Sequence, residues 1–158
     1  MRCNAGATKM KITQHTNYAI RMLMYCNSKN GLATIGEIAG FYNLSEKFLT
    51  KILSSLIRCG FVETVRGRKG GIRLARPAEE IFIGDVIQKI EENFELAECF
   101  KPGETSCPLV NSCGLSLALS RALQGFFDIL NEYTLADLTN RKTALHNLMF
   151  ESTLTGAH

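Results

Sequence analysis

Apolar residues in this chain recur in blocks of helical or strand-like spacing, separated by caps and breakers. From Thr13, the residues Tyr18, Ala19, Met22, Leu23 and Cys26 fall on one helical face, and the pattern fades between Asn27 and Gly31. Thr34 and Glu37 have capping-box spacing and open a short second helix through Ile38 and Phe41. A turn at Asn43-Leu44 leads to Ser45, which caps a third helix carrying Phe48, Leu49, Ile52, Leu53, Leu56 and Ile57 on one face and stopping at Gly60. Two β-rich runs, 61–65 and 71–75, flank a glycine-rich tip and read as a hairpin. A helix over 83–90 follows. A longer one then carries Leu115, Leu119, Ala122, Leu123, Phe126, Phe127, Leu130 and Tyr133, apolar enough to want a partner, and Thr134 starts a last short helix.

Two helices joined by a tight turn, then a paired-strand wing, predict a mainly α fold with a small β wing. This is a winged helix-turn-helix followed by a long dimerisation helix. The expected segments are a disordered extension at 1–9, the winged helix-turn-helix at 10–82, a connecting helix at 83–98 and a cysteine loop at 99–113. The dimerisation helix and short terminal helix occupy 114–140, and a flexible tail 141–158.

The overall charge of +3 is a weak argument for nucleic acid; its placement says more. Arg58, Arg66, Arg68, Lys69, Arg73 and Arg76 face a single acid, Glu63, between positions 58 and 76, and they coincide with the glycine-rich hairpin. The polar face of the third helix presents Lys47, Thr50, Lys51, Ser54 and Ser55, suited to the major groove. Arg66, Arg68 and Lys69 at the wing tip suit phosphates or the minor groove. Ser45 and Glu37 read as caps rather than contacts. So modest a charge would bind DNA weakly as a monomer. A homodimer on a palindromic double-stranded operator is therefore expected, with half-sites spaced about one helical turn, ~34 Å, or a multiple.

Three of the six cysteines, Cys99, Cys107 and Cys113, fall in one short stretch with Pro102, Gly103 and Pro108, which forbid regular helix. Cys26 and Cys59 sit at apolar helical positions and read as core. The N-terminus lacks an apolar signal core and no apolar segment is long enough to span a membrane, so a cytoplasmic protein without membrane attachment is expected. Thiols stay reduced there, so metal ligation outranks a disulfide framework. Gaps of seven and five residues are wider than zinc Cys pairs use and suit an iron–sulfur cluster. Zinc and redox-active thiols remain as alternatives. With no Cys-x-x-Cys, no paired zinc-protease histidines and no base–nucleophile set, the chain is not expected to be an enzyme, and a thiol redox or cluster-carrier protein is a distant alternative.

The stretches KITQHTNYAIR (11–21), FVETVRGRKGGIRL (61–74) and YTLADL (133–138) resemble the winged-helix iron–sulfur transcriptional repressors of the IscR, NsrR and RirA type, over about residues 10–138. The surroundings of Cys99, Cys107 and Cys113 are most similar to the rhizobial iron-regulator (RirA) type. That resemblance implies repression of iron-uptake genes when iron is plentiful, with Cys99, Cys107 and Cys113 holding the cluster and 4Fe-4S preferred to 2Fe-2S. It also implies an alternative, a nitric-oxide or redox signal. Where IscR-like members place a histidine ligand this chain has Ser116, and where NsrR-like members can use an aspartate it has Asn17. No fourth ligand is assigned; His15, Glu95, Glu98, water or a small thiol stay open.

Overall fold

The computed structural model describes residues 12–29, 31–91, 94, 96–97, 100, 107–109, 112–140 and 147. The expected extension at 1–9, Cys99 and almost all of the tail lie outside these residues.

Helix α1 (Gln14–Ser28) is capped by Thr13, whose side-chain oxygen accepts from Thr16 N. Helix α2 (Ile35–Tyr42) opens with the complete Thr34–Glu37 capping box and ends at Asn43, which takes a left-handed φ of 51°. Helix α3 (Glu46–Arg58) is capped by Ser45. The wing is an antiparallel pair, β1 (Val62–Val65) and β2 (Gly71–Leu74), in register from Val62 opposite Leu74 to Val65 opposite Gly71. Ala33 pairs with Ile72 at the other edge of β2 through bonds of 3.0 and 2.7 Å, fastening the wing to the helices. A 3-10 turn (Ala78–Glu80), which no sequence signal announced, leads into α4 (Ile83–Ile90). Then come α5 (Gly114–Leu130) and α6 (Leu135–Thr139), the latter closed by a Thr134–Asp137 capping box.

One core unites α1, α3, the wing base, α4 and α6, with Met22, Leu23, Leu49, Ile52, Leu56, Phe61, Ile81, Val86 and Leu135 buried within it. Burying each such side chain contributes about 1.5–3 kcal/mol. Thus α6 returns the chain to the first helix, where Asn27 Nδ2 donates to buried Thr139 Oγ1 at 2.6 Å. A smaller cluster of Ile83, Ile87 and Phe127 joins α4 to the C-terminal part of α5.

Three apolar assignments differ from expectation. Ile57, expected on the buried face of α3, is exposed because the core side of that helix narrows to Leu49, Ile52 and Leu56. Tyr133 falls beyond the end of α5, and its carbonyl instead accepts Ile83 N. Cys59 is half-buried at the α3 C-cap, where its thiol donates to Lys89 O at 3.7 Å, whereas Cys26 is buried as expected.

Candidate nucleic-acid interface and cysteine segment

Helix α3 presents Lys47, Thr50, Lys51 and Ser54 to solvent, while Ser55 is half-buried. The hydroxyls of Thr50 and Ser54 donate back to the carbonyls of Glu46 and Thr50 at 2.8 and 2.9 Å, leaving oxygen lone pairs turned outward as acceptors. Ser55 makes the same back-bond, to Lys51 O at 3.4 Å, but has a further partner. Its hydroxyl lies 3.2 Å from His15 Nε2 on the first turn of α1, so one member of the expected reading face is tied to a neighbouring helix. His15, considered from sequence only as a helix-end residue or an open cluster ligand, therefore sits against the reading helix. A lone histidine has no periodicity that would have revealed this.

The wing tip turns through Gly67, at φ 118°, with Gly70 N donating to Gly67 O at 2.9 Å. A side chain at Gly70 would collide with the Val65 carbonyl, so the tight tip requires glycine there. Arg66, Arg68 and Lys69 are exposed at this tip.

Two other basic residues of the segment, Arg73 and Arg76, have partners within the fold. Arg73 pairs with Glu63 across the strands. Arg76 lays its guanidinium 5.1 Å from the ring centroid of buried Phe61, and the Lys89 ammonium stands 5.5 Å from the same ring. Three exposed basic side chains therefore stand together at the tip, with Arg58 also exposed at the end of α3.

Of the three clustered cysteines, Cys107 and Cys113 are half-buried and Cys99 lies outside the described residues. Cys113 is the N-cap of α5 and makes no side-chain capping bond, so its sulfur stands at the positive end of a long helix, a favourable place for an anionic thiolate–metal assembly. Among the described residues no group of three His, Cys, Asp or Glu side chains is gathered to hold a metal. Cys113 at the helix start and Cys107 six residues before it are soft donors of the kind an iron–sulfur centre uses. Of the open fourth ligands, Glu95 and Glu98 lie outside the described residues and His15 is half-buried; of the two positions where related proteins use a ligand that this chain lacks, Asn17 is exposed and Ser116 half-buried.

Among the described residues, none buries the apolar side chains at the N-terminal part of α5. Leu115 and Leu117 are each 65% exposed and Ile129 is 60% exposed, whereas Phe127 alone is buried on this helix. No helix among the described residues is long and apolar enough to cross a membrane.

The family model described as Rrf2, an iron-dependent transcriptional regulator, matches residues 12–141. The chain belongs to the Rrf2 family. It is 54% identical to protein aau3 of Rhizobium meliloti over 142 residues, 89% of this chain and 92% of that protein. It is 40% identical to the HTH-type transcriptional regulator NsrR of Bacillus licheniformis, over 89% of this chain and 99% of that one. Among solved structures, CymR, the global cysteine regulator of B. subtilis, superposes with a TM-score of 0.65 at 27% identity, covering 84% of this chain and 98% of CymR. The expected winged-helix regulator fold is thereby borne out. As an Rrf2 member the protein is a transcriptional regulator of a DNA-binding family, and the NsrR and CymR relatives are named as regulators rather than enzymes.

Proposed function

We propose that this protein is an iron-responsive repressor of iron-uptake genes whose operator binding depends on a labile iron–sulfur cluster. The observation that carries the reading is the single body formed by an exposed basic wing tip, an exposed polar reading helix and a long helix whose N-cap is Cys113. Lys47, Thr50, Lys51, Ser54 and Ser55 meet base edges and phosphates in the major groove, and Arg66, Arg68 and Lys69 meet the backbone or minor groove. The segment boundaries drawn from the sequence serve as the working division of these tasks, except that the connecting helix expected over 83–98 ends at Ile90, where Glu91 turns extended.

The exposed apolar face of α5 is covered by a second copy of the chain, which sets two reading helices at the spacing of a palindromic operator. Cys99, Cys107 and Cys113 hold the cluster, 4Fe-4S in preference to 2Fe-2S, with the fourth ligand not assigned to any side chain. When bound, the group supplies a labile inorganic core whose loss reports iron scarcity. The chain's part is mechanical: three thiolates order the segment before α5 and so set that helix, and the subunit paired through it, relative to the winged body.

The test is anaerobic purification, with the absorption spectrum, the iron-to-sulfide ratio and operator binding measured on one sample. A brown protein whose Cys107→Ala variant folds but binds DNA at least about tenfold more weakly supports the reading. Colourless material that resists reconstitution, or an unaffected variant, sinks it.

A second reading keeps the regulator and changes its signal to nitric oxide or redox stress. The 40% identity to a protein named NsrR favours it, and Asn17 in place of an aspartate speaks against it. Faster cluster loss under sub-stoichiometric nitric oxide than under an iron chelator would select it.

A further inference from the structure

Among the described residues three helices begin with a threonine cap, and in two of them the cap is completed locally. In α2 and α6 the acid at the third helical position, Glu37 or Asp137, returns to accept from the backbone N–H of the capping threonine. The corresponding position of α1 is Thr16, and the first turn of α1 holds no acid. The carboxylate is supplied from elsewhere. Glu91 Oε2 accepts from both the backbone N–H and the hydroxyl of Thr13, at 2.8 and 2.9 Å, across a sequence separation of 78. Glu91 is buried and is the C-cap residue of α4, just before the stretch that leads to Cys99. On the same first turn of α1, His15 contacts Ser55 of the reading helix at 3.2 Å.

We propose that Glu91 is a positioning residue: it completes the cap of α1 from the root of the cysteine segment and so couples that segment to the reading helix through His15 and Ser55. A buried carboxylate is stable only with donors around it, and both donors seen here belong to Thr13. Displacement of Glu91 with the segment leaves those donors without their acceptor, frays the first turn of α1 and releases His15 from Ser55. The inference rests on the cluster-dependent reading above.

The test uses the full chain, reconstituted anaerobically, and a DNA duplex selected in vitro by the cluster-loaded wild type from a random library. Loaded and apo affinities are measured together with the absorption spectrum and amide hydrogen exchange at residues 13–17. Glu91→Met fills the buried volume without an acceptor. It is expected to keep the cluster spectrum, raise exchange in the first turn of α1, and shrink the loaded-to-apo affinity ratio from about tenfold or more to within about twofold. Glu91→Gln, which retains one acceptor oxygen, restores part of the ratio. His15→Phe, which cuts the Ser55 link without touching the buried clasp, also lowers it. A wild-type ratio retained in both Glu91→Met and His15→Phe overturns the proposal and leaves the cluster reading standing. A wild-type protein that shows no ratio overturns the cluster reading itself, and the proposal with it.

Discussion

The side-chain oxygen of Asn131 accepts the backbone N–H of Asp85 at 3.0 Å, so the residue that ends α5 caps the beginning of α4. The N-cap of α4 is Phe82, which has no side chain able to do this. The same joint is closed by Ile83 N donating to Tyr133 O at 3.0 Å and by Gly84. A Cβ at Gly84 would collide with the Asn131 side chain and come within 2.9 Å of the Phe127 carbonyl. The angle at which α5 leaves the winged body is therefore set by a glycine-tight contact and one borrowed cap.

Asn131→Ala is expected to cost about 1 kcal/mol through the lost cap. Gly84→Ala should cost more, about 1–3 kcal/mol, because the joint must open to admit the methyl group. Urea unfolding midpoints check both. A Gly84→Ala protein as stable as wild type would show that α5 is not packed as described.

Asn43, between α2 and α3, holds a left-handed φ of 51° while its N–H bonds back to Ala39 and Gly40 carbonyls. Asn43→Val should destabilise the fold by about 1–2 kcal/mol because a β-branched residue resists that conformation, and Asn43→Gly should be neutral or slightly stabilising. The order Gly, Asn, Val in thermal melting temperature tests this.

If the wing tip meets phosphates, replacing Arg66, Arg68 and Lys69 by alanine lowers affinity about equally on all sequences. The slope of log K against log salt then falls by about 0.9 for each phosphate no longer neutralised. Thr50→Ala or Lys47→Ala should instead change which sequences are preferred. Binding titrations at several salt concentrations, on selected and unrelated duplexes, separate the two classes.

Burial pushes the Cys26 thiol up from 9.0 to about 12, against a smaller opposing pull from Lys29. Burial likewise raises Tyr42 from 10.0 to about 12, and its hydroxyl donates to Arg21 O at 3.1 Å. Both groups hold their protons more tightly in the folded chain than in the unfolded one. The stability they contribute is thus complete below pH 9 and drains away as pH climbs toward 12. Urea midpoints should fall steadily above pH 9, and less steeply in Cys26→Ala. Iodoacetamide at pH 8 should leave Cys26 unmodified until the protein unfolds.

Much of this was legible along the chain. The caps at Thr34 and Ser45 were visible because capping chemistry is local and its spacing fixed, whereas Thr13 and Thr134 were read only as helix starts. The wing was visible because a glycine-rich basic tip between two β-rich runs leaves few other conformations. The third helix was over-read on its apolar side, at Ile57, because helical periodicity marks a face and does not say how wide a strip the neighbouring elements will cover. Ser55 was grouped with the free reading residues for a related reason: its pairing with His15 exists only after α1 crosses α3.

Local pattern alone was enough to order the helices, turn and wing, to focus the basic charge on one hairpin and to single out three thiols ahead of an apolar helix. Those features depend on neighbours three or four residues away. The tertiary structure decided which charges are spent and which helices complete one another. Arg73 and Arg76 are taken up by Glu63 and Phe61, Glu91 finishes the cap of α1, and Asn131 finishes that of α4. Each of these pairings joins residues far enough apart in the chain, or on different enough elements, that no periodicity relates them. Arg73 and Glu63 meet because strand register sets them opposite each other; the others form because a buried or half-buried group finds its partner where packing brings one.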